Sequence, residues 1–143
     1  MKGIVLLSGP TSGLGLELLR LLGQDKSLAL VVVGRKLERI QNVLAETAAP
    51  VYSVEFDLAE AHGAEKTAAF EQVLFEVLAK IGLDRLVFAS NAGIVEPIGQ
   101  IGDVPAAAYV ASLAVNVLAP VAMANACLRY VKTVDGQLLV LNV

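Results

Sequence analysis

Three glycines, at positions 9, 13 and 15, follow a short apolar run at residues 4–7 and precede a leucine-rich stretch. A short apolar run that ends in a glycine turn reads as a buried strand. Leu14, Leu18, Leu21 and Leu22 then predict one apolar helical face, ending at Gly23. Few folds begin with strand, glycine turn and helix in that order. The glycines permit a tight turn, let a pyrophosphate approach the backbone, and let the helix pack close to the strand. The helix N-terminus offers unpaired N–H groups and a partial positive charge to an anion. Gly9, Thr11, Ser12, Gly13, Leu14 and Gly15 are therefore the candidate phosphate cradle of a dinucleotide.

The alternation continues along the chain. Residues 28–33 predict a second strand, and Leu37, Ile40, Val43 and Leu44 an amphipathic helix. Residues 51–56 predict a third strand. Phe70, Val73, Leu74, Val77, Leu78 and Ile81 recur at helical spacing, with Glu71, Glu76 and Lys80 on the opposite face. Residues 86–89 read as a fourth strand, residues 105–132 as a long helix, and residues 137–143 as a fifth strand after the turn Asp135-Gly136. Strands apolar on both faces, alternating with helices, form a parallel sheet covered on both sides. Right-handed crossovers make this an α/β, doubly wound, Rossmann-type fold of about five strands in order 3-2-1-4-5. Without repeats or linkers, residues 1–143 read as one dinucleotide-binding domain.

Composition narrows the function. Hydrophobic residues make up 56% and charged residues 17%, so the chain buries much of itself or covers faces against a partner. A net charge of −3 gives nucleic-acid binding no electrostatic support. The single cysteine, Cys127, excludes an internal disulfide and fits a reducing, cytoplasmic compartment. The apolar run at residues 4–7 is too short for a signal peptide. Residues 104–128 carry no charge and score as a membrane span, but they are alanine-rich and hold Pro105, Ser112, Asn116, Pro120 and Asn125. A helix apolar on all sides, buried in a soluble assembly, is the preferred reading. One face would pack on the sheet and another would form a homo-oligomer surface. No metal-ligand spacing occurs; His62 stands alone and Cys127 sits in an apolar helix as packing.

The end of the second strand selects the cofactor. Enzymes that use NAD place an acidic residue there, on the ribose 2′-hydroxyl. This chain has Gly34-Arg35-Lys36. Arg35 can hold a 2′-phosphate bidentately, with Lys36 beside it, so NADP is expected in preference to NAD. Further on, Pro120 has no N–H for the carbonyl of Asn116, so the long helix should kink there.

The glycine spacing is Gly-x-x-x-Gly-x-Gly, and Asp57-Leu58, Asn91-Ala92-Gly93, Asn116 and the stretch GQLLVLN at 136–142 follow in order. In this the chain resembles the short-chain dehydrogenase/reductase family over essentially its whole length. Ser8 and Pro10 depart mildly from the family's commoner Thr-Gly-Ala opening. The resemblance implies that Asp57 and Leu58 hold the adenine, that Asn91, Ala92 and Gly93 line the cofactor site, and that Asn116 is the catalytic asparagine, its main chain holding a relay water. It also implies an NADP-dependent oxidoreductase that moves hydride between the nicotinamide and a small carbonyl or alcohol. The family's catalytic serine would fall just beyond Val143, and its Tyr-x-x-x-Lys further on. None of Tyr52, Tyr109 and Tyr130 is followed by lysine four positions later. The chain is thus expected to hold the cofactor-binding part, without the family's C-terminal strands, and to be inactive alone. Substrate contacts within it are expected only from residues 94–104. The alternatives are a non-catalytic NADP-binding sensor or scaffold module, and a partner subunit whose long helix matters most.

Overall fold

A computed structural model describes residues 3–82, 84–100 and 102–143; Ile101, in the expected substrate segment, lies outside them. Five strands form one sheet: β1 (Gly3–Ser8), β2 (Leu28–Gly34), β3 (Val51–Glu55), β4 (Arg85–Ser90) and β5 (Gln137–Asn142). Their order is β3-β2-β1-β4-β5 and every pairing is parallel, as the alternation of elements predicts. The order reverses between β1 and β4, the switch point at which such sheets open a crevice beyond their C-terminal strand ends.

Side-chain alternation along the strands builds two cores. Val5 and Leu7 of β1 and Leu30 and Val32 of β2 pack with Leu19 of α1 (Gly13–Leu22) on one face. Leu37 and Ile40 close that face; they lie on a 3₁₀ turn (Leu37–Ile40) that leads into α2 (Gln41–Ala45). On the other face Ile4, Leu6, Val31 and Val33 meet Phe70, Leu74 and Leu78 of α3 (Ala64–Ile81) and Met123, Ala126 and Cys127 of α5 (Ala119–Thr133). Burial pushes the Cys127 thiol up to about 12, so it packs as a neutral apolar group.

The helical faces depart from the periodicity in three places. Leu14 and Leu21, expected on the buried face of α1, are 59% and 71% exposed, and Leu19 is buried instead. Gly15 lies on the Leu19 side of the helix, and its missing side chain lets that side rest against the Gly9 carbonyl and Asn91. Val73 of α3 is exposed as well, the buried face of that helix being Phe70, Leu74 and Leu78. Glu71, expected in solvent opposite that face, is half-buried and ion-paired to Arg129 of α5, whose Nε donates to Glu71 Oε1 at 2.7 Å. The guanidinium hydrogen bond holds the Glu71 carboxyl below its ordinary value.

The long helix runs from Ala106 to Thr133, 28 residues, and by length and composition is long and apolar enough to cross a membrane. It is not uniform. A 3₁₀ turn (Ala106–Ala108) leads into α4 (Tyr109–Leu113), then a π turn (Ala114–Leu118), then α5. The Ala119 N–H donates to the Ala114 carbonyl five residues back. The break expected from Pro120 thus takes the form of a widened turn around Asn116. One side of α5 packs on the sheet through Ala119, Met123, Ala126, Cys127, Tyr130 and Val131. Val110, Leu113, Val117, Val121 and Leu128 are exposed.

Candidate dinucleotide site

The site begins at the C-terminal end of β1. Ser8 is 2% exposed, and its Oγ accepts the N–H groups of Asn91 and Ala92, each at 3.1 Å. The Asn91 amide answers in the other direction, its Nδ2 donating to the carbonyls of Ser8 at 3.2 Å and Gly9 at 3.0 Å. These four bonds tie the ends of β1 and β4 together at the switch point. Ser8 is the stitch that sequence reasoning passed over as a mild departure. The signal was present: a hydroxyl at the end of an otherwise apolar strand must find a partner when buried.

The glycine turn is then forced close to this junction. Gly9 has φ +67°, and a Cβ there would lie 2.8 Å from Ala92 Cα. At Gly15 a Cβ would lie 2.1 Å from the Gly9 carbonyl oxygen and 2.3 Å from Asn91 Nδ2. The helix can rest on the turn only because both side chains are absent. Ser12 precedes α1 in extended conformation and makes no side-chain capping bond, and the first turn holds no acidic residue. The first N–H groups of α1 are therefore left for an outside acceptor.

A cavity of about 530 Å³ opens here. Of the residues expected to bind cofactor, Gly9, Thr11, Ser12, Leu14, Arg35, Lys36, Asp57, Leu58, Asn91, Ala92 and Gly93 all line it. Gly13 and Gly15 do not; they shape the turn from behind. Arg39 and Phe56 also line the cavity and were not singled out from sequence, and Ile94, the first residue of the expected substrate segment, lines it too. Asp57 follows β3, where its Oδ1 accepts the Ala59 N–H at 3.0 Å and so caps a 3₁₀ turn (Leu58–Glu60). Its Oδ2 lies 3.7 Å from the Arg35 guanidinium. The carboxylate thus joins the end of β2 to the end of β3 across the cavity rim.

Asn116 stands apart from this cavity and lines a second one of about 500 Å³, with residues 90–95, Val117, Pro120, Val121, Asn142 and Val143. Its side chain is used as a latch. Oδ1 accepts the Ile94 N–H at 2.9 Å, while Nδ2 donates to the Ile94 carbonyl at 2.8 Å and to Ser112 Oγ at 3.2 Å. Both Nδ2 donors of the amide are thereby used, while Oδ1 keeps one lone pair. The two cavities share residues 91–94, so the latch fixes the wall between them. His62 lies outside both; its Nδ1 is 2.9 Å from the Ala59 carbonyl.

The family model described as short chain dehydrogenase matches residues 3–142. A short-chain dehydrogenase/reductase from Burkholderia vietnamiensis is 26% identical, with a TM-score of 0.80 over 99% of this chain and 62% of its own. A metagenomic short-chain oxidoreductase in complex with NADP is 25% identical, with a TM-score of 0.79 over 98% of this chain and 60% of its own. The alcohol dehydrogenase of Thermococcus sibiricus, complexed with 5-hydroxy-NADP, shares the fold at 23% identity, with a TM-score of 0.76 over 98% of this chain and 57% of its own. The chain therefore spans about three-fifths of the length of these structures. No curated protein matches it in sequence. The sheet order, the glycine turn stitched to β4, the Asn116 latch and a family match from Gly3 to Asn142 lead to one conclusion: the chain belongs to the short chain dehydrogenase family.

Proposed function

We propose that this chain is the cofactor-binding part of an NADP-dependent oxidoreductase that acts on a small carbonyl or alcohol. The observation that carries the reading is the single cavity shared by the α1 N-terminus, the cations after β2, and Asp57. A dinucleotide fits it on two counts. The glycine turn can close against Ala92 and Asn91 only because Gly9 and Gly15 lack side chains, and it leaves the α1 N-terminus uncapped at the cavity. The rim also carries positive charge where an NAD site carries an acid. Two of the similar structures hold NADP or a hydroxylated NADP.

In this reading the backbone N–H groups around Thr11, Ser12 and Leu14 receive the pyrophosphate. Arg35 and Lys36 take the 2′-phosphate, and Asp57 and Leu58 border the adenine. When bound, the nicotinamide supplies or accepts the hydride. Residues 91–93 floor the site, Asn116 holds its wall through Ile94, and the Asn116 main chain positions a relay water. The proton donor belongs to the family's Tyr-x-x-x-Lys, which these 143 residues do not contain. The second reading is a non-catalytic NADP-binding sensor or scaffold module.

The two readings separate in one assay. NADPH oxidation is followed against a panel of aldehydes and ketones. The 143-residue chain is expected to show at least ~10²-fold less turnover than a form that carries the tyrosine and lysine, the least that loss of a general acid costs. Robust turnover by the 143-residue chain would overturn the assignment of the proton donor. Tight NADPH binding with no turnover in either form would favour the sensor.

The protein is further proposed to be soluble and cytoplasmic, to bind no nucleic acid or membrane, and to self-associate through the long helix. The support for self-association is the exposed row of Val110, Leu113, Val117, Val121 and Leu128, which a soluble monomer would leave as an apolar patch. Light scattering is expected to show a dimer or larger species at micromolar concentration. A monomer across the whole range would overturn this.

A further inference from the structure

We infer that Arg39 is a second specificity-determining residue for the 2′-phosphate, acting beside Arg35. The inference rests on the proposed NADP reading and adds a residue that the reading does not use.

Charge balance at the 2′-phosphate calls for more than Arg35. A phosphate monoester carries close to two negative charges at neutral pH. Arg35, Lys36, Arg39 and Asp57 are the charged residues that line the cavity. The Asp57 carboxylate lies 3.7 Å from the Arg35 guanidinium and offsets one of the three cations. Arg35 alone therefore cannot balance the phosphate while it also faces Asp57. Among the described residues Arg39 and Lys36 pair with no carboxylate. With them the cavity has about two positive charges in excess, which matches the dianion.

The fold explains how Arg39 reaches the rim. Leu37 and Ile40 are 2% and 1% exposed and anchor the 3₁₀ turn to the core. The Arg39 N–H donates to the Lys36 carbonyl at 3.1 Å and closes that turn. The anchored turn brings Arg39 to the cavity and leaves its neighbour Glu38 off it. An α-helix from Leu37 would space these positions differently, at 3.6 residues per turn rather than about three. The guanidinium can then hold phosphate oxygens bidentately, which a lysine cannot.

The test is calorimetric titration of the intact chain with NADP+, NAD+ and adenosine 2′,5′-bisphosphate. Arg39→Ala is expected to weaken NADP+ and the bisphosphate about 10-fold, as loss of a charge-assisted hydrogen bond does. NAD+ affinity and Tm should stay at the wild-type values, which a merely structural role would not allow. Arg39→Lys should recover part of the loss by restoring charge without the fork. An unchanged NADP+/NAD+ ratio in Arg39→Ala, in a wild type that prefers NADP+, would overturn the inference alone. A wild type that binds neither nucleotide, or both equally, would overturn the NADP reading and the inference with it.

Discussion

An alanine at Gly15 is expected to cost about 3 kcal/mol of stability, the upper end for overpacking a filled site, and to weaken NADP+ binding ~100-fold or more, some 2.7 kcal/mol of binding free energy. The added methyl would lie 2.1 Å from the Gly9 carbonyl oxygen and 2.3 Å from Asn91 Nδ2. Neither neighbour is the free end of a flexible side chain. The carbonyl is backbone, and the amide already holds Ser8 and Gly9. Relief requires α1 to lift from β1 or Asn91 to release the turn. Either movement misplaces the N–H groups that receive the pyrophosphate. Gly13 supplies the control: its φ is +53°, but a Cβ there meets nothing within 4 Å. Gly13→Ala should therefore cost only the left-handed penalty, about 1–2 kcal/mol. Urea unfolding with unchanged m-values would measure both. A Gly15→Ala loss no larger than that of Gly13→Ala would contradict the close approach.

Reversing the charge at Arg35 is expected to shift the NADP+/NAD+ affinity ratio by ~100-fold or more toward NAD+. Losing a charge-assisted pair to phosphate accounts for ~1.5–3 kcal/mol, or roughly 10- to 100-fold. Arg35→Asp adds two further effects in the same direction. The new carboxylate would stand beside Asp57, which now faces a guanidinium at 3.7 Å, and would repel a 2′-phosphate. It would also accept a hydrogen bond from a free ribose hydroxyl, as in enzymes that use NAD. Titration of wild type and variant with both nucleotides decides the matter. If the variant keeps the wild-type ratio, Arg35 is not the selector.

The strand order and the cavity wall were legible in the sequence because each rests on a local pattern. Apolar runs such as Leu28–Gly34 mark strands covered on both faces, and parallel pairing with right-handed crossovers leaves little choice of order. The glycine turn announces its own geometry. The inward face of α1 was not legible. Leucines or glycines occupy positions 13–16, 18, 19, 21 and 22, so periodicity offers several apolar faces. A count of apolar side chains gives no weight to Gly15, whose missing side chain lets the helix rest against the Gly9 carbonyl and Asn91. Long-range polar pairs were hidden for another reason. Glu71 and Arg129 are 58 residues apart, and Asn116 and Ile94 are 22 apart. Their spacing carries no signal until the chain has folded. Arg39 was missed because its placement depends on a 3₁₀ turn, whereas the pattern Leu37, Ile40, Val43, Leu44 reads as a continuous helix.

The proposed function requires that the cavity between the glycine turn, the β2 end and Asp57 receive NADP+. The most direct measurement is a titration of the ¹⁵N-labelled chain with NADP+, following each backbone amide by NMR. NADP+ bound in this cavity predicts saturating shifts at the amides of residues 9, 11–15, 34–39, 57–59 and 91–94, with the outer face of α3 unmoved. No shifts at millimolar NADP+, or shifts centred on α3 or on the exposed row of the long helix, would contradict it.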